Sequence, residues 1–169
     1  PPNSPPATTG APQRVEDKDD DVRRTAALWV TSKLEPAQLE RHMDVIARAL
    51  DDPILSVRRA ALQALQQIRP AALAHYAPAV TERLSDPILS VRQGAVAVLS
   101  RLSPADLALH ADNLLRCFTD AEWTVRATAV EAIGELDTPL LAAHFVSPHV
   151  LDMLDDDFDR VRSAAVGVL

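Results

Sequence analysis

The stretch DPILSVRRAALQALQQIRP at residues 52–70 returns as DPILSVRQGAVAVLSRLSP at residues 86–104. Its first seven letters are unchanged, and the two copies lie 34 residues apart. The Val-Arg pair inside it marks the rest of the chain. It occurs at Val22-Arg23, Val57-Arg58, Val91-Arg92, Val125-Arg126 and Val161-Arg162, at spacings of 35, 34, 34 and 36. Three residues after each Arg stands Ala26, Ala61, Ala95, Ala129 or Ala165. Six residues before each Arg stands Asp17, Asp52, Asp86, Asp120 or Asp156. A proline follows at Pro36, Pro70, Pro104 and Pro139. Self-similarity at such a period is the mark of stacked supersecondary units. The spacings place one extra residue near Arg23-Arg24 in the first unit and further extra residues around Ser147-Pro148 in the fourth.

Each unit reads as two helices. Ile54, Val57, Ala61, Leu65 and Ile68 fall at spacings of three and four, on one helical face. Asp52-Pro53 and Asp86-Pro87 read as an N-cap acceptor followed by a first-turn proline. Ser103-Pro104 and Thr138-Pro139 supply the same device to the second helix, whose stripe is Leu73, Ala77, Val80 and Leu84. The short link makes the two helices antiparallel neighbours. One such pair cannot bury both of its apolar faces, and stacking on the next pair solves that. The expectation is an all-α solenoid of stacked antiparallel helix pairs, about four and a half repeats long. The repeats run over about 17–50, 51–84, 85–118 and 119–154, with a partial one at 155–169. Residues 1–16 are expected to be a Pro-rich extended segment, because five prolines with Ser, Thr and Gly in the first 13 residues cannot pack a core.

The pattern of Asp, five residues, then Arg preceded by Val, with Ala after it and a Pro-started second helix, resembles HEAT repeats of the short, regular 34-residue kind. The resemblance covers residues 17–169. It implies a right-handed solenoid, a structural Asp-to-Arg ladder and a role as scaffold, adaptor or complex subunit.

Composition narrows the classes. Apolar residues at 47% suffice for a core, while a net charge of −7 and a pI near 5.1 oppose phosphate binding, so no nucleic-acid partner is expected. No apolar run reaches the ~18 residues that span a bilayer. The lone Cys117 has no companion for a disulfide or a thiolate metal site. An intracellular setting, cytoplasmic or organellar, is expected. The chain starts with Pro and ends on the apolar Leu169, so the expectation is a processed or longer protein, or a partner over the last helix.

Neither catalysis nor a cofactor is expected. His42, His75, His110 and His144 follow each repeat proline by five or six residues and read as a ladder. Repeats stack about 8–10 Å apart, and zinc needs its ligands near 2 Å, so they are not a metal cluster. His149 shares the fourth repeat with His144 but lacks a third ligand. Asp52, Arg58, Asp86, Arg92, Asp120, Arg126, Asp156 and Arg162 read as helix caps and inter-repeat ion pairs. HEAT-like deoxyhypusine hydroxylases carry His-Glu dipeptides, and this sequence has none. HEAT-like bilin lyases have diffuse motifs, to which nothing here points. The acidic runs Glu16–Asp21 and Asp155–Asp159 lack the turn glycine of a calcium loop and read as helix starts.

The partner is expected to be other proteins. In the resembled family the second helices line the concave side, and their outward positions here include Gln38, Arg41, Asp44, Arg48, Thr81, Glu82, Asp112 and Arg116. Trp29, aligned with Gln63, Ala97 and Glu131, is expected to face outward, either as a partner anchor or against the chain's own N-terminal segment. Trp123, aligned with Leu55 and Leu89, is expected in the core. Leu141 and Phe145 belong to an apolar excess at residues 140–151 that suits a partner contact or local repacking around Pro148. Leu169 and the Pro2-to-Pro5 spacing are further candidates. A rival reading is an accessory subunit built permanently into a large assembly, such as an organellar membrane complex.

Overall fold

The computed structural model describes residues 13–136, 139 and 146–169. All regular structure among them is helical. The first helices of successive repeats are α1 (Asp20–Lys33), α4 (Leu55–Leu65), α7 (Leu89–Leu99), α10 (Trp123–Gly134) and α12 (Asp159–Val168). The second helices are each split in two: α2 (Pro36–Leu39) and α3 (Met43–Arg48), α5 (Pro70–Leu73) and α6 (Ala77–Glu82), α8 (Pro104–Ala108) and α9 (Ala111–Arg116). In the fourth repeat the second helix is represented by α11 (Val146–Asp152).

The first helices form one row, each packed against the next in chain order. The C-terminal pieces α3, α6 and α9 rest on the first helix of the following repeat. The core lies between the rows. Val57, Ala61, Leu65, Ile68, Leu73, Ala77, Val80 and Leu84 are buried, as the two predicted stripes require, while Ile54 at the start of the first stripe is half-buried. The small Ala26, Ala61, Ala95, Ala129 and Ala165 are buried where the first helices meet. A larger side chain there would force the row apart.

The ladder explains why the Asp-to-Arg interval is fixed. Each Arg does two things at once. Its Nη1 donates to the carbonyl of its own repeat's Asp: Arg58 to Asp52 (2.9 Å), Arg92 to Asp86 (3.0 Å), Arg126 to Asp120 (2.7 Å) and Arg162 to Asp156 (2.6 Å). The rest of the guanidinium meets the carboxylate of the next repeat's Asp. Those ion pairs are Arg23–Asp52 (2.7 Å), Arg58–Asp86 (2.9 Å), Arg92–Asp120 (2.7 Å) and Arg126–Asp156 (2.7 Å). The side chains in these pairs are largely buried. Burial pushes the Asp120 carboxyl up, but the Arg92 hydrogen bond, the Glu122 amide and two guanidinium charges outweigh it, so it sits below the usual carboxylate range. The Arg126 hydrogen bond lowers Asp156 in the same way.

Asp52 and Asp86 are not the helix N-caps that their Asp-Pro pairs suggest. The N-caps are Ile54 and Ile88, and the helices begin at Leu55 and Leu89. The Asp carboxylate instead closes a tight turn, accepting from the amide two residues on: Ile54 (2.8 Å), Ile88 (2.9 Å), Glu122 (2.9 Å) and Phe158 (2.9 Å). Its other oxygen is then free for the guanidinium. The first-turn prolines of the second helices do hold at Pro36, Pro70 and Pro104, and Ser103 caps α8 by accepting from the Asp106 amide (3.2 Å). Thr138 lies outside the described residues.

The extra residue of the first repeat is not at Arg23-Arg24. Arg23 occupies the ladder, so α1 keeps a 35-residue register to α4, and the surplus falls at its C-terminal end. Trp29 then corresponds to buried Ala64 rather than to exposed Gln63. Accordingly it is half-buried and packed on the core, while Leu28 takes the outward place. Trp123 departs from expectation too. It is half-buried and stacks on the exposed Phe158 ring at 5.6 Å and 14°, with the Arg126 guanidinium 5.6 Å from that ring. Before α1, Gln13–Glu16 forms a 3₁₀ turn whose Val15 is buried in the core. Glu16 pairs with Arg48 there, so ordered packing begins ahead of residue 17.

Candidate partner-binding surface

The split second helices create this surface. The break comes at His42, Tyr76 and His110, spaced by 34 residues, each with ψ near zero (21°, −3° and 8°). His75 is therefore one residue out of register with His42 and His110, and the regular histidine ladder does not form. His144 lies outside the described residues. Two break residues reach back to the preceding repeat. The Tyr76 hydroxyl donates to Asp44 Oδ1 (2.8 Å), and His110 Nδ1 lies 3.2 Å from Thr81 Oγ1. The Asp44 hydrogen bond pushes the Tyr76 phenol up, and burial pulls His110 down, towards the neutral imidazole.

Beyond the break, every third or fourth side chain stands in solvent. One outward row holds Asp44, Pro78, Asp112 and Pro148; the next holds Arg48, Glu82, Arg116 and Asp152. All eight are exposed. Arg41 and Gln38 are exposed on the first repeat, though Gln38 already spends its Oε1 on the Glu35 amide (3.0 Å). Leu109 stands where Arg41 and His75 stand and is 78% exposed. Thr81 is half-buried, its hydroxyl donating to the Ala77 carbonyl (2.8 Å). Leu169 is exposed just after α12. Leu141 and Phe145 lie outside the described residues.

Between the second helices of repeats two and three runs a polar cleft of about 100 Å³, lined by Thr81, Leu84, Ser85, Asn113, Arg116, Cys117 and Asp120. It carries no sequence motif, because its walls come from two repeats. The buried Cys117 thiol is pushed up to about 11 by its burial, so at neutral pH it is an inert wall rather than a nucleophile. Among the described residues no group of three or more His, Cys, Asp or Glu is placed to hold a metal. No helix there is long and apolar enough to cross a membrane.

These features define a helical-pair solenoid with a uniform ladder along its first helices and a variable exposed face on its second helices. A family model described as HEAT repeats matches residues 77–169, more than half of the chain, and the chain belongs to the HEAT-repeat family. No curated protein matches it in sequence. Solved structures share the fold. An engineered protein aligns with a TM-score of 0.77 at 13% identity, over 94% of this chain and 76% of that one. A designed armadillo repeat protein in complex with the peptide (KR)4 aligns at 0.74 and 14%, over 94% and 78%. A computationally designed armadillo repeat protein for modular peptide recognition aligns at 0.71 and 17%, over 94% and 79%.

Proposed function

We propose that this chain is a non-catalytic scaffold that binds another protein along the outward rows of its second helices. One observation carries the reading. The ladder positions are the same in every repeat, while the exposed second-helix positions change from repeat to repeat, from Arg48 to Glu82 to Arg116 to Asp152. The frame holds these side chains in fixed rows, and their variation gives each repeat a different contact chemistry. Two fold neighbours are described as peptide binders, which supports the same use of a stacked helical frame. The polar cleft, at about 100 Å³, and an apolar cavity of about 10 Å³ under Val15 are small beside the ~300 Å³ at which small-molecule sites begin. That favours a scaffold over an enzyme such as a bilin lyase.

The test is affinity capture from the native source, with mass-spectrometric counting of what is retained. Arg41→Ala, Asp44→Ala, Arg48→Ala and Glu82→Ala together should remove the partners. Arg59→Ala with Gln63→Ala, exposed on α4, should retain them. Partners that survive the first variant and are lost with the second would place binding on the other row and defeat the proposal.

A further inference from the structure

The two junctions between the first three repeats are built on one plan, and they differ in what fills the cleft. At the first junction Arg83 fills it. Its Nη1 donates to the Leu50 carbonyl (3.2 Å) and its Nη2 pairs with Asp51 (2.8 Å). One repeat later, 34 residues on, Cys117 stands in place of Arg83 and Ser85 in place of Asp51. Both members of the plug are replaced by small groups, and the cleft of about 100 Å³ is what remains.

The groups around that cleft have a common polarity. Asp120 lines it, but both of its oxygens are taken by Arg92 (2.7 and 3.0 Å) and one also by the Glu122 amide (2.9 Å). The Thr81 hydroxyl is committed to Ala77 and His110. Among the described residues, three side chains lining the cleft meet no hydrogen-bond or ion-pair partner: the Ser85 hydroxyl, the Asn113 amide and the Arg116 guanidinium. All three can donate, and Arg116 carries a charge. Asp112 and Glu82 share the exposed face with Arg116 and make no ion pair with it. A cation would find at this cleft the guanidinium of Arg116 and a carboxylate already neutralised.

We infer that the cleft between repeats two and three is a carboxylate pocket, which receives an Asp or Glu side chain of the bound partner against Ser85, Asn113 and Arg116. The space admits a head group and little more, so the remainder of the ligand lies along the second-helix rows. This rests on the scaffold reading for its partner, though not for its chemistry. Guanidinium–carboxylate pairing with supporting amide and hydroxyl donors is the strongest arrangement open to these residues.

The test uses the full chain labelled with ¹⁵N and a blocked heptapeptide with one central glutamate in a glycine-serine frame. Saturable shifts of the Asn113 side-chain amide are expected. They should weaken at least tenfold with the glutamine version of the peptide and with Arg116→Gln. Cys117→Arg together with Ser85→Asp, which restores both members of the first junction's plug, should abolish them; Arg116→Gln, at an exposed position, guards against a misfolded result. Acetate should bind at least threefold more weakly than the peptide, and equal binding would assign the pocket to free small acids and overturn the partner assignment. Shifts that do not saturate, or that ignore Arg116→Gln, would overturn the pocket itself. The probe needs no natural partner, so a failure here leaves the capture experiment standing, and a failed capture leaves this pocket standing.

Discussion

The two rows of helices solve the same stacking problem in opposite ways. Along the first row each junction repeats one device: an Arg tied to its own Asp carbonyl and to the next Asp carboxylate. Along the second row each junction differs. Arg69 grips Glu40 (2.7 and 2.6 Å) and Arg83 grips Asp51 (2.8 Å) at the first, whereas His110 meets Thr81 and Arg101 reaches the Ile68 carbonyl (3.1 Å) at the second. Uniform contacts hold the stack in register. Varied contacts leave each repeat with its own surface, and that is where recognition can be written.

The contrast is broken most severely by cutting the ladder. Asp86→Ala leaves Arg58 buried without its carboxylate, and a loss of roughly 3 kcal/mol or more is expected from urea unfolding. Asp86→Asn still accepts from the Ile88 amide and should lose less. A loss near 1 kcal/mol for the alanine variant, the size of a helix cap alone, would show that only the turn matters and that the first row is no stronger than the second.

Acid sharpens the same point. Asp120 and Asp156 have folded pKa values below their ordinary one, so the unfolded chain binds their protons first. Their contribution is complete above about pH 4, the usual carboxylate value, and is lost as pH falls through the depressed folded values. Melting temperature should therefore fall steeply on acidification below about pH 4. Arg126→Gln, which removes the main cause of the Asp156 shift, should flatten that fall. An unchanged slope would sink the assignment.

The smallest effect belongs to the second row. Asp112→Ala and Glu82→Ala should each shift stability by no more than about 0.5 kcal/mol, measured in the same unfolding assay. A larger loss would mean that the variable face also carries the stack, and the division between the rows would fail.

Much of the first row was legible in the sequence, because its contacts recur. The Asp-to-Arg interval, the buried alanines and the stripe from Val57 to Ile68 all follow from spacing. The Asp-Pro pairs misled at one point. An Asp before a Pro signals an N-cap, and only the inter-repeat guanidinium shows why the carboxylate serves a turn two residues ahead of the cap. Trp29 misled because the adjacent Arg23 and Arg24 offered two registers, and the ion pair to Asp52 decides between them. The exposure of Arg48 and Arg116 could be inferred from helical period. The cleft could not, since Ser85 and Asn113 become neighbours only across a junction, and the breaks at His42, Tyr76 and His110 carry no shared residue type.

The ladder also has a direction. Every repeat offers a carboxylate backwards and a guanidinium forwards, and among the described residues Arg162 meets no carboxylate of a following repeat. A copy of residues 86–119 inserted after position 119 would therefore meet Arg92 with its Asp and present its Arg to Asp120, recreating the native contact at both seams. The fold can thus be lengthened by whole units through duplication, each added unit free to diverge on its second helix while its first helix enforces the frame.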